Sequence, residues 1–99
     1  MNIFDLPPLP LPGELTTVLA ESPIVRVERI ISTGQVPDWY DQSESEFVAL
    51  LGGSAVIEFE DDRSVSMSMG DTLLIEPHER HRDVFTSTEQ PCVWRCVFF

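Results

Sequence analysis

Residues 34–53 read GQVPDWYDQSESEFVALLGG, and residues 70–85 read GDTLLIEPHERHRDVF. Each segment starts on a glycine and carries a cluster of coordinating or titratable side chains. The first holds Tyr40, Asp41, Gln42 and Glu46. The second holds His78 and His81, both histidines of the chain.

Between and around these segments the sequence reads as short strands. Phe47–Leu51 is an apolar run that ends at Gly52-Gly53. Residues 55–59 and 63–69 alternate and are joined through Asp61-Asp62, a turn by composition. Thr72–Ile75, His81–Thr86 and Cys92–Phe99 supply three more strands, and Ser87–Pro91 a loop. Upstream, residues 14–19 alternate, and residues 24–32 are rich in β-branched side chains. No stretch of ten residues has a helical period. Many short strands punctuated by turns imply an all-β sandwich or barrel.

Length and composition bound the rest. Ninety-nine residues make one domain. At 42% hydrophobic residues it can bury roughly 60–70% of its unfolded surface without a disulfide or structural metal. Cys92 and Cys96 lie on one strand and cannot bridge each other, so they read as reduced packing thiols, which fits a cytoplasmic protein. Seventeen acidic against six basic residues give a formal charge of −11. Such a surface repels phosphate backbones and anionic lipid, so neither nucleic acid nor a membrane is expected as a partner. No leader-like basic and apolar run opens the chain and no apolar run is long enough to span a bilayer, so the chain reads as cytosolic and complete.

Residues 1–13 stand apart as a Pro/Leu-rich N-terminal arm, with Pro7, Pro8, Pro10 and Pro12 interleaved with Leu6, Leu9 and Leu11. Proline at that density forbids helix or central strand. The arm either lays its leucines on the domain or a partner subunit, or frays. Residues 14–99 form the single barrel domain.

The spacing within the two quoted segments resembles that of the cupin superfamily, small double-stranded β-helix barrels of the jelly-roll kind. From Gly34, five residues lead to Tyr40-Asp41-Gln42, three more to Glu46, and six more to Gly53. From Gly70, five residues lead to Glu76-Pro77-His78, two more to His81, and three more to Phe85. Both intervals match the two cupin motifs at every step. The resemblance implies a homodimeric barrel and one interior pocket. In metal-binding members that pocket holds a divalent ion on two histidines and a glutamate of the first motif and a histidine of the second. Here Glu46 and His81 keep their positions, while Tyr40 and Gln42 replace the first-motif histidines.

The site expected from this comparison has Gln42, Glu46 and His81 as metal ligands for one Fe, Mn, Ni or Zn ion. Tyr40 is the catalytic proton donor or acceptor, and Trp39 and His78 line the pocket. An amide oxygen is a weak ligand and a tyrosine must deprotonate to bind metal. A second reading therefore stays open, in which the same residues hydrogen-bond a small-molecule ligand without metal. Arg29 enters on parity. If Val25, Val27 and Ile31 face inward, Arg29 does too and needs a carboxylate or an anionic ligand; otherwise twist carries it to solvent. Trp94 and Phe98, in step with Cys92 and Cys96, read as core or dimer interface, and Met67 and Met69 as barrel filling. A metal-dependent enzyme acting on a small molecule, a metal-free binding module and a regulatory dimer are the functions these residues allow.

Overall fold

A computed structural model describes residues 1–99. Eight strands follow one another: β1 (Leu15–Glu21), β2 (Arg26–Ser32), β3 (Glu46–Gly52), β4 (Ala55–Phe59), β5 (Ser64–Met67), β6 (Thr72–Ile75), β7 (His81–Thr86) and β8 (Cys92–Phe98). There is no helix, and hence none long and apolar enough to cross a membrane. Five strands form one antiparallel sheet in the order β1-β2-β8-β3-β6, and three form another in the order β5-β4-β7. The two sheets enclose the core in a jelly-roll barrel.

Alternation decides what enters that core. Val48 and Leu50 of β3, Ala55, Ile57 and Phe59 of β4, and Cys92, Trp94, Cys96 and Phe98 of β8 form one buried cluster with Met67 and Ile75. Successive side chains of a strand point to opposite faces, so this set fixes the facing of β3, β4, β5, β6 and β8. The β8 reading as core holds. Met67 fills the barrel, but Met69 is 69% exposed. The strand has ended before it, because Ser68 and Gly70 enter a turn closed by Ser68 N–H donating to Asp71 Oδ2 at 2.8 Å.

The glycines picked out by spacing have backbone reasons. Gly34, Gly53 and Gly70 have φ of 95°, 78° and 94°, a region that L side chains rarely adopt. His78, in the second quoted segment, takes the same left-handed conformation with φ of 61°.

Arg29 is where one inward-facing alternative for β2 fails. Glu28 and Ile30 face the barrel interior, so Arg29 and Ile31 point out from the other face of the sheet. Both are nevertheless buried, at 5% and 0% exposure. For Arg29 the cover comes from the N-terminal arm: its Nη1 donates to the carbonyls of Ile3 at 3.3 Å and Asp5 at 2.8 Å. Farther along the arm, Leu11 N–H donates to Thr33 Oγ1, and Gln35 Nε2 donates to the Leu11 carbonyl. Across the sheet Arg29 pairs with Arg95, and neither guanidinium has a carboxylate within ion-pair distance.

Candidate functional site

The interior between the sheets holds a cavity of about 160 Å³. The wide sheet contributes Glu28 and Ile30 from β2, Glu46 and Val48 from β3, and Trp94, Cys96 and Phe98 from β8. The narrow sheet contributes Ile57 from β4, and His81 and Asp83 from β7. The segment before β3 runs across the mouth and supplies Tyr40 and Gln42. It is tied down by backbone: Tyr40 and His81 exchange N–H to carbonyl bonds at 2.7 and 3.1 Å, and His78 N–H donates to the Gln42 carbonyl at 2.7 Å. The two segments quoted at the outset therefore close on each other directly.

The structure brings together Tyr40, Gln42, Glu46 and His81. Glu46 and His81 are almost fully buried, at 7% and 4% exposure. Their Oε1 and Nε2 atoms approach to 3.8 Å. Gln42 Nε2 donates to Glu46 Oε1 at 2.8 Å. His81 Nδ1 lies 2.8 Å from the Glu79 carbonyl oxygen. A carbonyl can only accept, so Nδ1 carries the proton, and in the neutral ring Nε2 presents its lone pair to the cavity.

A second chain of bonds crosses the mouth. Trp94 Nε1 donates to Ser32 Oγ at 3.2 Å, Ser32 Oγ donates to Glu14 Oε2 at 2.8 Å, and the Tyr40 hydroxyl donates to Glu14 Oε1 at 3.1 Å. Burial, reinforced by the Glu14 charge and hydrogen bond, drives the Tyr40 phenol well above its ordinary range. Tyr40 is thereby held protonated, as a hydrogen-bond donor. Burial likewise pushes the Cys96 thiol far up, aided by the Glu46 charge, so Cys96 is an inert wall rather than a nucleophile.

Asp83 was not singled out by the sequence reading. It follows His81 by two residues on β7, so it shares the inward face. Desolvation raises its carboxyl to about 7, with the Glu14 and Glu46 charges adding to the effect. Glu14, just before β1, and Glu28 of β2 were also missed, because they lie outside the recognised spacing.

Three expected pocket residues lie elsewhere. Arg29 is on the outer face under the arm. Trp39 packs outside the cavity beneath Arg82 and Arg80, whose guanidinium carbons lie 4.5 and 5.4 Å from its ring centroid. His78 stays on the rim with Nδ1 2.8 Å from Asp41 Oδ1, both side chains exposed.

The donor set does not fit a resident transition-metal ion. Two strong donors are present, Glu46 and His81. The third expected ligand, Gln42, turns its amide NH₂ toward Glu46, and Tyr40 is held as a phenol. No group of three or more His, Cys, Asp or Glu side chains is arranged to hold one ion, whereas such sites use at least three protein ligands at about 2.0–2.3 Å.

Comparison with known proteins agrees with the fold. A profile described as a cupin domain matches residues 27–98. A crystal structure from Ralstonia eutropha JMP134, provisionally named a mannose-6-phosphate isomerase, shares 39% identity and superposes with a TM-score of 0.92. The match covers 99% of this chain and 94% of that one. A cupin superfamily protein from Desulfitobacterium hafniense DCB-2 has a TM-score of 0.79 at 18% identity, over 93% of this chain and 82% of that one. KdgF from Halomonas sp. has a TM-score of 0.74 at 18% identity, over 89% and 82%. At such identity the last two speak for the fold alone. No curated protein matches the chain.

Proposed function

Because the chain belongs to the cupin domain family, we propose that its barrel cavity is a small-molecule site that performs proton transfer without a resident metal. The observation that carries this reading is the pairing of His81 and Asp83. His81 is locked by Glu79 so that Nε2 faces the cavity as a base. Burial raises the carboxyl of Asp83, two residues along the same strand, to about 7, so that around neutral pH it is shared between its acid and its carboxylate form. Two residues of strand span about 6.6 Å, which leaves room for a small carbonyl compound between base and acid. A base and an acid held on one wall of a cavity can take a proton from a ligand and give one to it.

In this reading His81 Nε2 removes a proton from the hydroxyl-bearing carbon next to a carbonyl, while the Asp83 carboxyl gives its proton to the carbonyl oxygen. The product is an enediol. Delivery of the proton from His81 to the former carbonyl carbon, and of the other hydroxyl's proton to Asp83, completes an isomerisation. Glu46, 3.8 Å from Nε2, stabilises the imidazolium that forms in between, and Tyr40 caps the mouth as a donor.

The cavity also limits what can be bound. A cavity of about 150 Å³ holds a molecule the size of benzene, so the reacting part of the ligand is small. The provisional name of the Ralstonia relative implies a phosphorylated sugar. No lysine or arginine lines this cavity, and four carboxylates do, so a phosphate would be repelled. A neutral or positively charged molecule fits instead.

The test is exchange of solvent deuterium into small α-hydroxy carbonyl compounds, beginning with dihydroxyacetone, by EDTA-dialysed protein in D₂O. Proton NMR should show the CH₂ signal decaying faster than in buffer, and His81→Gln should remove the difference. A compound that binds in the cavity without exchange would favour the second reading, a metal-free binding module.

A further inference from the structure

The charge in the cavity is more lopsided than acid–base work requires. Glu14, Glu28, Glu46 and Asp83 line it, and no lysine or arginine does. Glu28 is compensated by Arg26 Nε at 2.7 Å. Glu14 accepts only from the neutral hydroxyls of Tyr40 and Ser32. Glu46, more than nine-tenths buried, accepts from the neutral amide of Gln42, and its nearest basic atom is His81 Nε2 at 3.8 Å. No hydrogen bond or ion pair reaches the Asp83 carboxyl. Between these groups lie the aliphatic walls of Ile30, Val48, Ile57 and Ile75 and the indole of Trp94. A buried carboxylate without a positive partner is expensive, so this wall is complementary to a cation that arrives with the ligand.

A divalent metal ion does not meet that description, because it needs several donors around one point at about 2.0–2.6 Å. An ammonium group accepts acceptors spread over a wider arc, and its carbon skeleton matches the apolar walls. We propose that the cavity's ligand class is the small organic ammonium ion, its nitrogen held among Glu14, Glu46 and Asp83 and its carbon chain against Trp94 and the aliphatic wall. This rests on the reading of the cavity as the ligand site and adds the charge that the ligand must carry.

The test is isothermal titration of EDTA-dialysed protein at one pH with benzylammonium, benzyl alcohol and benzoate, probes of matched shape that differ in charge. Benzylammonium should bind at least about tenfold tighter than benzyl alcohol, and benzoate should not bind. Glu14→Gln and Asp83→Asn should each narrow the preference several-fold. Should Asp83→Asn fail to fold, Glu14→Gln carries the comparison. Thr16→Trp, on the cavity wall at an exposed strand position, should block all binding. Benzyl alcohol binding as tightly as the amine, or benzoate binding more tightly, would overturn the proposal. Amine binding that survives Thr16→Trp would place it on the acidic exterior, with the same consequence. So would stoichiometric Zn²⁺ binding that displaces the amine and is lost in His81→Gln. If the alcohol binds, is blocked by Thr16→Trp and shows no disadvantage to the amine, the charge assignment fails and the cavity reading stands. If no probe binds, both fail.

Discussion

The hydroxyl of Tyr40 donates to Glu14 Oε1 at 3.1 Å, joining residues 26 positions apart across the mouth of the barrel. This contact couples the segment that carries Gln42 and Glu46 to the residue just before the first strand. Tyr40 is 39% exposed, so the bond is partly wet. Tyr40→Phe should lower stability by about 1 kcal/mol or less, read as a small shift in urea midpoint with an unchanged slope. A loss of several kcal/mol would mean that the hydroxyl does more than cap the mouth.

Asp83 makes stability depend on pH in a defined window. Its carboxyl titrates near 3.8 as a free group and at about 7 in the fold, so between those values the native state holds a proton that the unfolded chain has released. Stability therefore falls as pH rises from about 4 to about 7 and is level above. The whole effect is on the order of 4 kcal/mol at most, since each unit is worth about 1.4 kcal/mol. Asp83→Asn should flatten this decline, so that its melting temperature exceeds wild type at pH 8 but not at pH 4. Parallel melting curves for the two proteins across that range would contradict the assignment.

Gly53 tests the backbone reading of the motif spacing. It has φ of 78°, and an added Cβ would lie 2.8 Å from the Pro91 carbonyl oxygen and 2.9 Å from Cys92 Cα. The clash is with backbone on the β8 side, which cannot step aside cheaply. Gly53→Ala should cost about 2 kcal/mol or more, whereas Gly13→Ala, which meets nothing within 4 Å, should be near neutral. Equal urea midpoints for the two variants would refute this.

Arg29 predicts a role for the arm. Its Nη1 relies on the carbonyls of Ile3 and Asp5, and its Nε is buried without a partner. Removing residues 1–10 should destabilise the domain by about 1–3 kcal/mol, the loss of the arm's bonds to Arg29 and of the surface it covers. Arg29→Met should therefore cost more in the full-length chain, where it removes those bonds, than in the shortened chain, where water already replaces them. If Arg29→Met destabilises the full-length and shortened chains equally, the arm does not act through Arg29.

Much of this was legible in the sequence where patterns are local. Strand bounds at 55–59, 72–75 and 81–86 follow from alternation and turn residues alone, and the spacing located Glu46 and His81 in one cavity. The facing of β2 was not legible, because Ile24 and Ile30 on one side are as apolar as Val25, Val27 and Ile31 on the other. The reason is now visible: both faces are covered, one by the barrel and the other, at Arg29, by the arm. Glu28, on β2, was hidden by the same ambiguity, and Glu14 lay outside the recognised spacing. Asp83 could have been found from parity with His81, since i and i+2 share a face. Trp39 was lost to the outside because its neighbours Arg80 and Arg82 alternate away from His81 and draw the indole over them.

The central claim is that His81 presents a free Nε2 lone pair to the cavity rather than a metal-bound nitrogen. The most direct measurement is the nitrogen-15 NMR signature of the His81 ring in protein purified without added metal, before and after EDTA and after Zn²⁺ addition. The account predicts the Nδ1–H form, with Nε2 unprotonated in the neutral ring, and no change on chelation or on stoichiometric Zn²⁺. An Nε2–H ring, or an Nε2 signal that shifts when metal is removed or supplied, would contradict it.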